Sequence, residues 1–366
     1  MKDEYPTGKS DLMTAFMVRA QDLTGRGGTW AMINLPSWMS LKSFEELRHD
    51  LLRDRRIVSM VHLGRGIFGS DFGTVAFVVD NAPARAARGV YRRLFDQHVD
   101  VRSVATIEAL FRDASYNRFE VSQADFGAIP GSPIVYWLSE KMRAAFKTGR
   151  QLGDVAEPNQ GLITADNDRF LRQWWEVSEG RTGLGCRSRV EASESHQRWF
   201  PYNKGGDFRR WYGNQEYVVN WEHDGDEIRA FGTEDGGRAR SRPQNVDYYF
   251  KPTISWSDIS SGAPSFRRFP WGFIHGNKGN SVFGSPLLLD RLLGVMNAPC
   301  ATMILEALTP TMTASVGDVA KTPIPDSSAE LSTSTIESLV AVAQTDWDTY
   351  EISWGFERNP LVALRR

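Results

Sequence analysis

The stretch that most limits the fold is residues 57–79, IVSMVHLGRGIFGSDFGTVAFVV. An apolar strand runs into glycines, as it would in a phosphate-cradling turn. Such a turn needs a helix behind it, because the first N–H groups of that helix hold the anion. Here a second apolar strand follows instead. The link between strands at about 57–63 and 74–80 is too short for a crossover between parallel strands, so the second strand must return antiparallel. A glycine-rich hairpin tipped by Phe68 therefore needs another purpose.

The residues before it alternate in type. In SDLMTAFMVRAQDLT (10–24), Leu12, Phe16, Ala20 and Leu23 share one helical face. Ser10 or Asp11 caps the start, and Gly25, Gly27 and Gly28 end it. TWAMINL (29–35) is a nearly continuous apolar run, the pattern of a strand buried on both faces. In SFEELRHDLL (43–52), Ser43 and Glu46 form a capping box, and Phe44, Leu47 and Leu51 share a face. Helix, strand, helix, strand, hairpin and strand predict an α/β fold with a parallel sheet that ends in an antiparallel hairpin strand.

Residues 81–100 turn small and basic and read as a boundary. Past AIPGSPIVYW (128–137), turn signals multiply in YNKGGD, WEHDGDE, TEDGG and IHGNKGN, so short aromatic strands in a β-rich second domain are expected. Residues 285–310 return to helical spacing, and the tail carries a linker and one more helix. The organisation expected is 1–85, a connecting region 86–135, a mixed α+β domain 136–325, and a linker with a C-terminal helix 326–366. No repeat of fixed period is present.

Composition excludes several functions. Net charge is −2 over 366 residues, so no global basic field advertises nucleic acid, and DNA binding must rest on local features. The two cysteines, Cys186 and Cys300, form no CxxC pair, and the six histidines never form HxH or HExxH, so no metal site is expected. No GxSxG supports a hydrolase. The polar N-terminus has no apolar leader segment and no long apolar run occurs, so a soluble cytoplasmic protein is expected.

Residues 11–68, DLMTAFMVRAQDLTGRGGTWAMINLPSWMSLKSFEELRHDLLRDRRIVSMVHLGRGIF, resemble the part of an amino-group (N6-adenine) DNA methyltransferase that follows its catalytic tetrad. GLITADNDRFLRQWWEV (161–177), PYNKGGDFRRWYGNQEYVVNWEHDGDEI (201–228) and DWDTYEISWGF (346–356) are similar to the large phage-defence methyltransferases of the BREX (phage growth limitation) type. They are less closely similar to fused type IIG restriction–methylation enzymes. The resemblance covers nearly the whole chain. It implies the C-terminal half of a Rossmann-like methyltransferase fold followed by a DNA target-recognition domain, with S-adenosyl-L-methionine as methyl donor. It also implies base flipping, because an enzyme cannot reach adenine N6 inside a duplex. Phe68 matches the family's aromatic plate for the everted base, and the flanking glycines let that ring approach without crowding. Asp11 and Phe16 match the helix that borders the cofactor's adenine. Trp38 is placed in the core.

In the family the glycine-rich cofactor loop and an Asn/Asp-Pro-Pro-aromatic tetrad lie upstream. The tetrad's carboxamide and proline carbonyl accept hydrogen bonds from the amino group, leaving the nitrogen lone pair free to attack the methyl. NAPA (81–84), DFGAIPGSP (125–133) and RNPLV (358–362) match neither motif. The family also continues past this C-terminus, so both ends are expected to be cut. The chain alone is expected to be inactive, with double-stranded DNA as substrate and a partner chain carrying the N-terminal half of the methyltransferase domain. A noncatalytic DNA-binding specificity subunit and a truncated relic are the alternatives. An uncovered apolar surface at 29–35 is expected if the chain stands alone.

YNKGGDFRRWYGN (202–214) joins Lys204, Arg209 and Arg210 to a glycine turn and Trp211. Glycine lets backbone N–H groups approach phosphate, and arginine bridges guanine or phosphate. Arg240 and Arg242 in GGRARSRPQN, Arg267 in SFRRF and Lys278 in HGNKGN complete the expected DNA contacts. Glu222, Asp224, Asp226, Glu227, Glu234 and Asp235 sit among them in sequence, so the region has no net basic charge.

Overall fold

The computed structural model describes residues 2–69, 72–83, 88–96, 101–233, 236–259, 264–309 and 313–363; Glu234 and Asp235 lie outside the described residues. The chain forms two compact units, Met1–Thr148 and Gly149–Arg366.

The first unit contains α1 (Leu12–Thr24), β1 (Thr29–Asn34), α2 (Glu45–Asp54), β2 (Arg56–Gly64), β3 (Thr74–Asp80), β4 (Arg88–Arg93), α3 (Val104–Arg112), β5 (Arg118–Ser122) and α4 (Glu140–Thr148). Its sheet runs β1-β3-β2-β4-β5. The returning hairpin strand is antiparallel to β2, and it also pairs antiparallel with β1, from Thr29 opposite Asp80 to Asn34 opposite Val75. The expected parallel sheet is therefore corrected. β1 and β2 run the same way but do not touch, because the short hairpin lays β3 in the space that the α2 crossover leaves between them. β2 pairs parallel with β4, and β4 antiparallel with β5. The segment 86–135, read as a connection, thus adds two strands to this sheet.

Three local expectations fail for physical reasons. β1 is an edge strand and is not buried on both faces: Trp30 is buried edge-on to Phe77 at 5.7 Å, whereas Ile33 is 54% and Leu35 41% exposed. In α1, Asp11 caps the helix with Oδ1 accepting the Met13 N–H at 2.8 Å, and Gly25 ends it at φ +65°. The stripe Leu12, Phe16 and Leu23 faces solvent at 61%, 58% and 71% exposure, because the core takes the opposite stripe of Met13, Met17 and Val18. The Ser43–Glu46 capping box is absent. Ser43 lies in a 3-10 turn, its carbonyl accepts the Ser10 hydroxyl at 3.0 Å, and α2 starts after Phe44 with no side-chain cap.

The core packs Leu47, Leu51, Ile57, Met60, Phe77, Tyr91 and Trp38. Buried Arg48 ties the surrounding loops together, donating to the carbonyls of Trp38, Leu41 and Gly131 at 2.7–3.0 Å. Burial pulls its guanidinium down to about 10, against the opposing pull of Glu45. An arginine can satisfy three separate carbonyls because its planar head carries five donors.

The second unit contains β6 (Arg150–Gln151), β7 (Glu157–Asn159), β8 (Leu171–Gln173), β9 (Trp199–Asn203), β10 (Tyr217–Asn220), β11 (Thr253–Ser257), β12 (Arg267–Phe269), β13 (Ile274–His275), β14 (Gly279–Phe283) and β15 (Pro323–Ile324). They form sheets β13-β9-β10-β8 and β12-β11-β14-β7, with a small β15-β6 pair. One core gathers Phe200, Tyr202, Val219, Trp221, Phe250 and Ile274 around the first sheet. Another sets Ile254, Trp256 and Val282 against helices Pro286–Met296, Pro299–Leu308 and Thr333–Trp347. Among the described residues no single helix is long and apolar enough to cross a membrane.

Candidate nucleic-acid interface

Phe68 stands at the tip of the β2–β3 hairpin, 64% exposed. The glycines shape the loop that presents it. Gly64 and Gly66 adopt φ +78° and +102°, and a Cβ on Gly66 would collide with the Arg102 carbonyl oxygen. The Arg102 N–H donates to the Arg65 carbonyl at 3.3 Å, fixing the base of the loop. An aromatic ring held outward this way offers a free face on which a flat ring can stack.

In the second unit, the β9–β10 loop carries four of the residues expected to meet DNA. The Lys204 ammonium lies 4.1 Å over the Tyr217 ring and lines a cavity of about 310 Å³ with Arg172, Gln173 and Glu176. Arg210 lies 5.4 Å over the Phe208 ring. The other two are engaged elsewhere. Arg209 pairs with Asp346 at 2.9 Å and stacks over Trp347 and Tyr350, so its charge is spent within the unit. Trp211 is half-buried at φ +73°; its N–H donates to the Phe266 carbonyl, and its own carbonyl accepts from Arg268, each at 2.8 Å. It pins the loop to β12 and does not present an open face.

Arg267 is the clearest correction. It is completely buried, so it cannot reach a phosphate, and it donates instead to the Ser257 hydroxyl at 2.7 Å. Burial brings its guanidinium down to about 10, with Glu216 opposing. The Glu216 carboxyl is itself raised, first by burial. Lys278 pairs with Asp258 at 2.8 Å, and its own carbonyl abuts Gly205, which places it beside the β9–β10 loop. Arg240 and Arg242 are exposed on another segment. Arg242 exchanges backbone hydrogen bonds with Ile163 at 2.9 and 3.0 Å, and Arg240 lies 5.7 Å over Phe231. Lys278 thus lies beside the loop that carries Lys204 and Arg210, while Arg240 and Arg242 sit on a segment bonded to Ile163.

Phe208, exposed to 55% at the crest of the same loop, was not singled out from the sequence. The signal was present. GGDF repeats the grammar of the first hairpin, with glycines just ahead of a phenylalanine.

Asp11 and Phe16, expected to border the cofactor, stand at the N-cap of α1 and within it, respectively. One Asp11 oxygen is committed to the helix cap, and Phe16 lies open on a solvent-facing stripe. Among the described residues no three His, Cys, Asp or Glu side chains gather as a metal cluster. Trp38 is fully buried 5.1 Å from Phe77, as its core placement requires.

A family model described as the Eco57I restriction-modification methylase matches residues 1–68. The chain is 35% identical over 365 residues, 98% of its length, to the adenine-specific methyltransferase PglX of Lacticaseibacillus casei (strain Zhang). It is 32% identical over 374 aligned residues, 99% of its length, to the adenine-specific methyltransferase BrxX of Escherichia coli O9:H4 (strain HS). It spans only 30% and 29% of these relatives. Among solved structures, the Type IIL restriction-modification enzyme MmeI in complex with DNA aligns over 93% of this chain and 45% of that chain, at 9% identity and a TM-score of 0.49. That likeness is too slight to carry a role to any residue. Along nearly its whole length, then, the chain is similar to a segment of the PglX and BrxX adenine-specific methyltransferases.

Proposed function

We propose that this chain forms part of a site-specific adenine-N6 DNA methyltransferase of a phage-defence or restriction–modification system. In this reading the first unit is the C-terminal part of a Rossmann-like, S-adenosylmethionine-dependent domain. The second unit is the target-recognition domain, and double-stranded DNA is the substrate. The donor loop and catalytic tetrad come from sequence outside this stretch, and the setting is cytoplasmic. The observation that carries the reading is the end-to-end alignment with two adenine-specific methyltransferases.

Two features of the first unit support it. Phe68 is presented outward, as a platform for an everted adenine must be. Leu12, Phe16, Leu23 and Ile33 are all more than half exposed, a surface suited to being covered by further polypeptide. The test is genetic. Deleting the reading frame should remove N6-methyladenine from one sequence motif in the host genome, and restoring it should return the mark. Methylation unchanged by the deletion would reject the proposal.

A further inference from the structure

Phe208 sits in a loop that is unusually well held. The Gly205 N–H donates to Asn203 Oδ1 at 3.1 Å, and Ser257 Oγ donates to the Gly206 carbonyl at 2.6 Å. Asn214 Nδ2 donates to the Asp207 carbonyl at 2.9 Å, closing the loop across its base. The Arg209 N–H meets Ser265 Oγ at 3.3 Å, while the Arg209 side chain grips Asp346. Trp211 at φ +73° and Asn214 at φ +58° hold left-handed conformations that are uncommon outside glycine. These restraints fix every neighbour of Phe208, yet its own ring is left 55% in water.

A lone exposed phenylalanine needs no explanation on most surfaces. Here the surroundings point to a ligand. Arg210 lies over the ring, and among the described residues neither Arg210 nor Lys204 has an ion-pair partner. The loop's carboxylates are Asp207, next to the ring, and Glu216, a half-buried neighbour of Lys204 and Arg267. A pre-fixed apolar ring with Arg210 over it, and with Lys204 on the same loop, suits a polyanion whose interior is stacked and apolar. Holding the ring in place beforehand removes the ordering cost from the binding step. Proteins that kink duplexes use such side chains as wedges between base steps.

Resting on the DNA reading proposed above, we infer that Phe208 is a wedge that enters the base stack of the bound duplex, with Arg210 and Lys204 on the flanking phosphates. It is a positioning residue: it holds the duplex deformed and in register, and takes no part in methyl transfer.

Photo-cross-linking tests this with the full chain and a pool of randomised duplexes bearing 5-iodouracil, a base that couples efficiently to stacked aromatic rings. The expected cross-link falls in the tryptic peptide 205–209 and disappears in Phe208→Ala. Phe208→Trp should restore it, because any aromatic ring can stack. Phe208→Ala should also weaken duplex binding several-fold with an unchanged dependence on salt. Binding by the wild-type chain with cross-links only at other peptides would overturn the wedge and leave the DNA reading intact. No binding of any duplex by the wild-type chain would overturn both.

Discussion

The Arg209 guanidinium donates to the Asp346 carboxylate at 2.9 Å while lying 4.8 Å over the ring of Trp347. The pair fastens the β9–β10 loop to the end of the helix Thr333–Trp347. Arg209→Ala is therefore expected to lower the stability of the second unit by about 1–2 kcal/mol, the sum of a partly exposed ion pair and a cation–π contact. Chemical denaturation followed by tryptophan fluorescence measures it. The salt dependence of DNA binding should not change, since this charge is already neutralised.

Lys204 and Arg210 should behave in the opposite way. Each phosphate contact releases about one counterion, so Lys204→Ala with Arg210→Ala is expected to flatten the salt slope of duplex affinity by about two. Gel-shift titration at several salt concentrations reads this directly. An unchanged slope would remove both residues from the interface.

Arg267 offers a contrast. It is sealed inside the unit, with Ser257 as hydrogen-bond partner and Glu216 as its electrostatic neighbour. Replacing a buried charge by an apolar side chain of similar volume is often tolerated, whereas removing the opposing charge leaves an unpaired ion. Arg267→Met should leave duplex affinity and salt slope as they were. Glu216→Ala should lower stability, because it removes the negative charge that opposes the cost of burying Arg267. A weaker duplex affinity or a flatter salt slope with Arg267→Met would contradict this placement.

Arg267 also shows where sequence reading stops. SFRRF reads as a basic cluster, but residues 267 and 269 share strand parity, and Phe269 is a core residue. Period-two alternation, applied there, places Arg267 inside and Arg268 toward Asp290 and Glu337. Local signals served well elsewhere. Asp11 capped α1, Gly25 ended it, and the short link after β2 forced an antiparallel return. The insertion of β3 between β1 and β2 was not legible, because it depends on pairing between residues some fifty positions apart. The helical face was misjudged because α1 carries two apolar stripes, and only packing decides which one the core takes.

His275 supplies a pH test. It is buried edge-on to Tyr249, and burial depresses its imidazole from 6.5 to about 3. Between those values the unfolded chain binds a proton that the folded chain does not. Its contribution to stability is therefore intact above pH 6.5 and is lost as the pH falls toward 3, by up to about 1.4 kcal/mol per pH unit. The difference in unfolding free energy between wild type and His275→Phe, measured from pH 7 to pH 4, should shift by that slope in favour of the variant. A pH-independent difference would contradict a neutral buried imidazole.

The most direct test of the central proposal is transfer of tritiated methyl from S-adenosylmethionine to duplex DNA. The chain would be assayed alone, and together with a polypeptide carrying the cofactor loop and catalytic tetrad of a PglX-type relative. The expected result is no transfer by either alone, transfer to adenine N6 by the two together, and a loss of at least tenfold with Phe68→Ala in the reconstituted pair. Transfer by the chain alone, or full activity of the pair with Phe68→Ala, would contradict it.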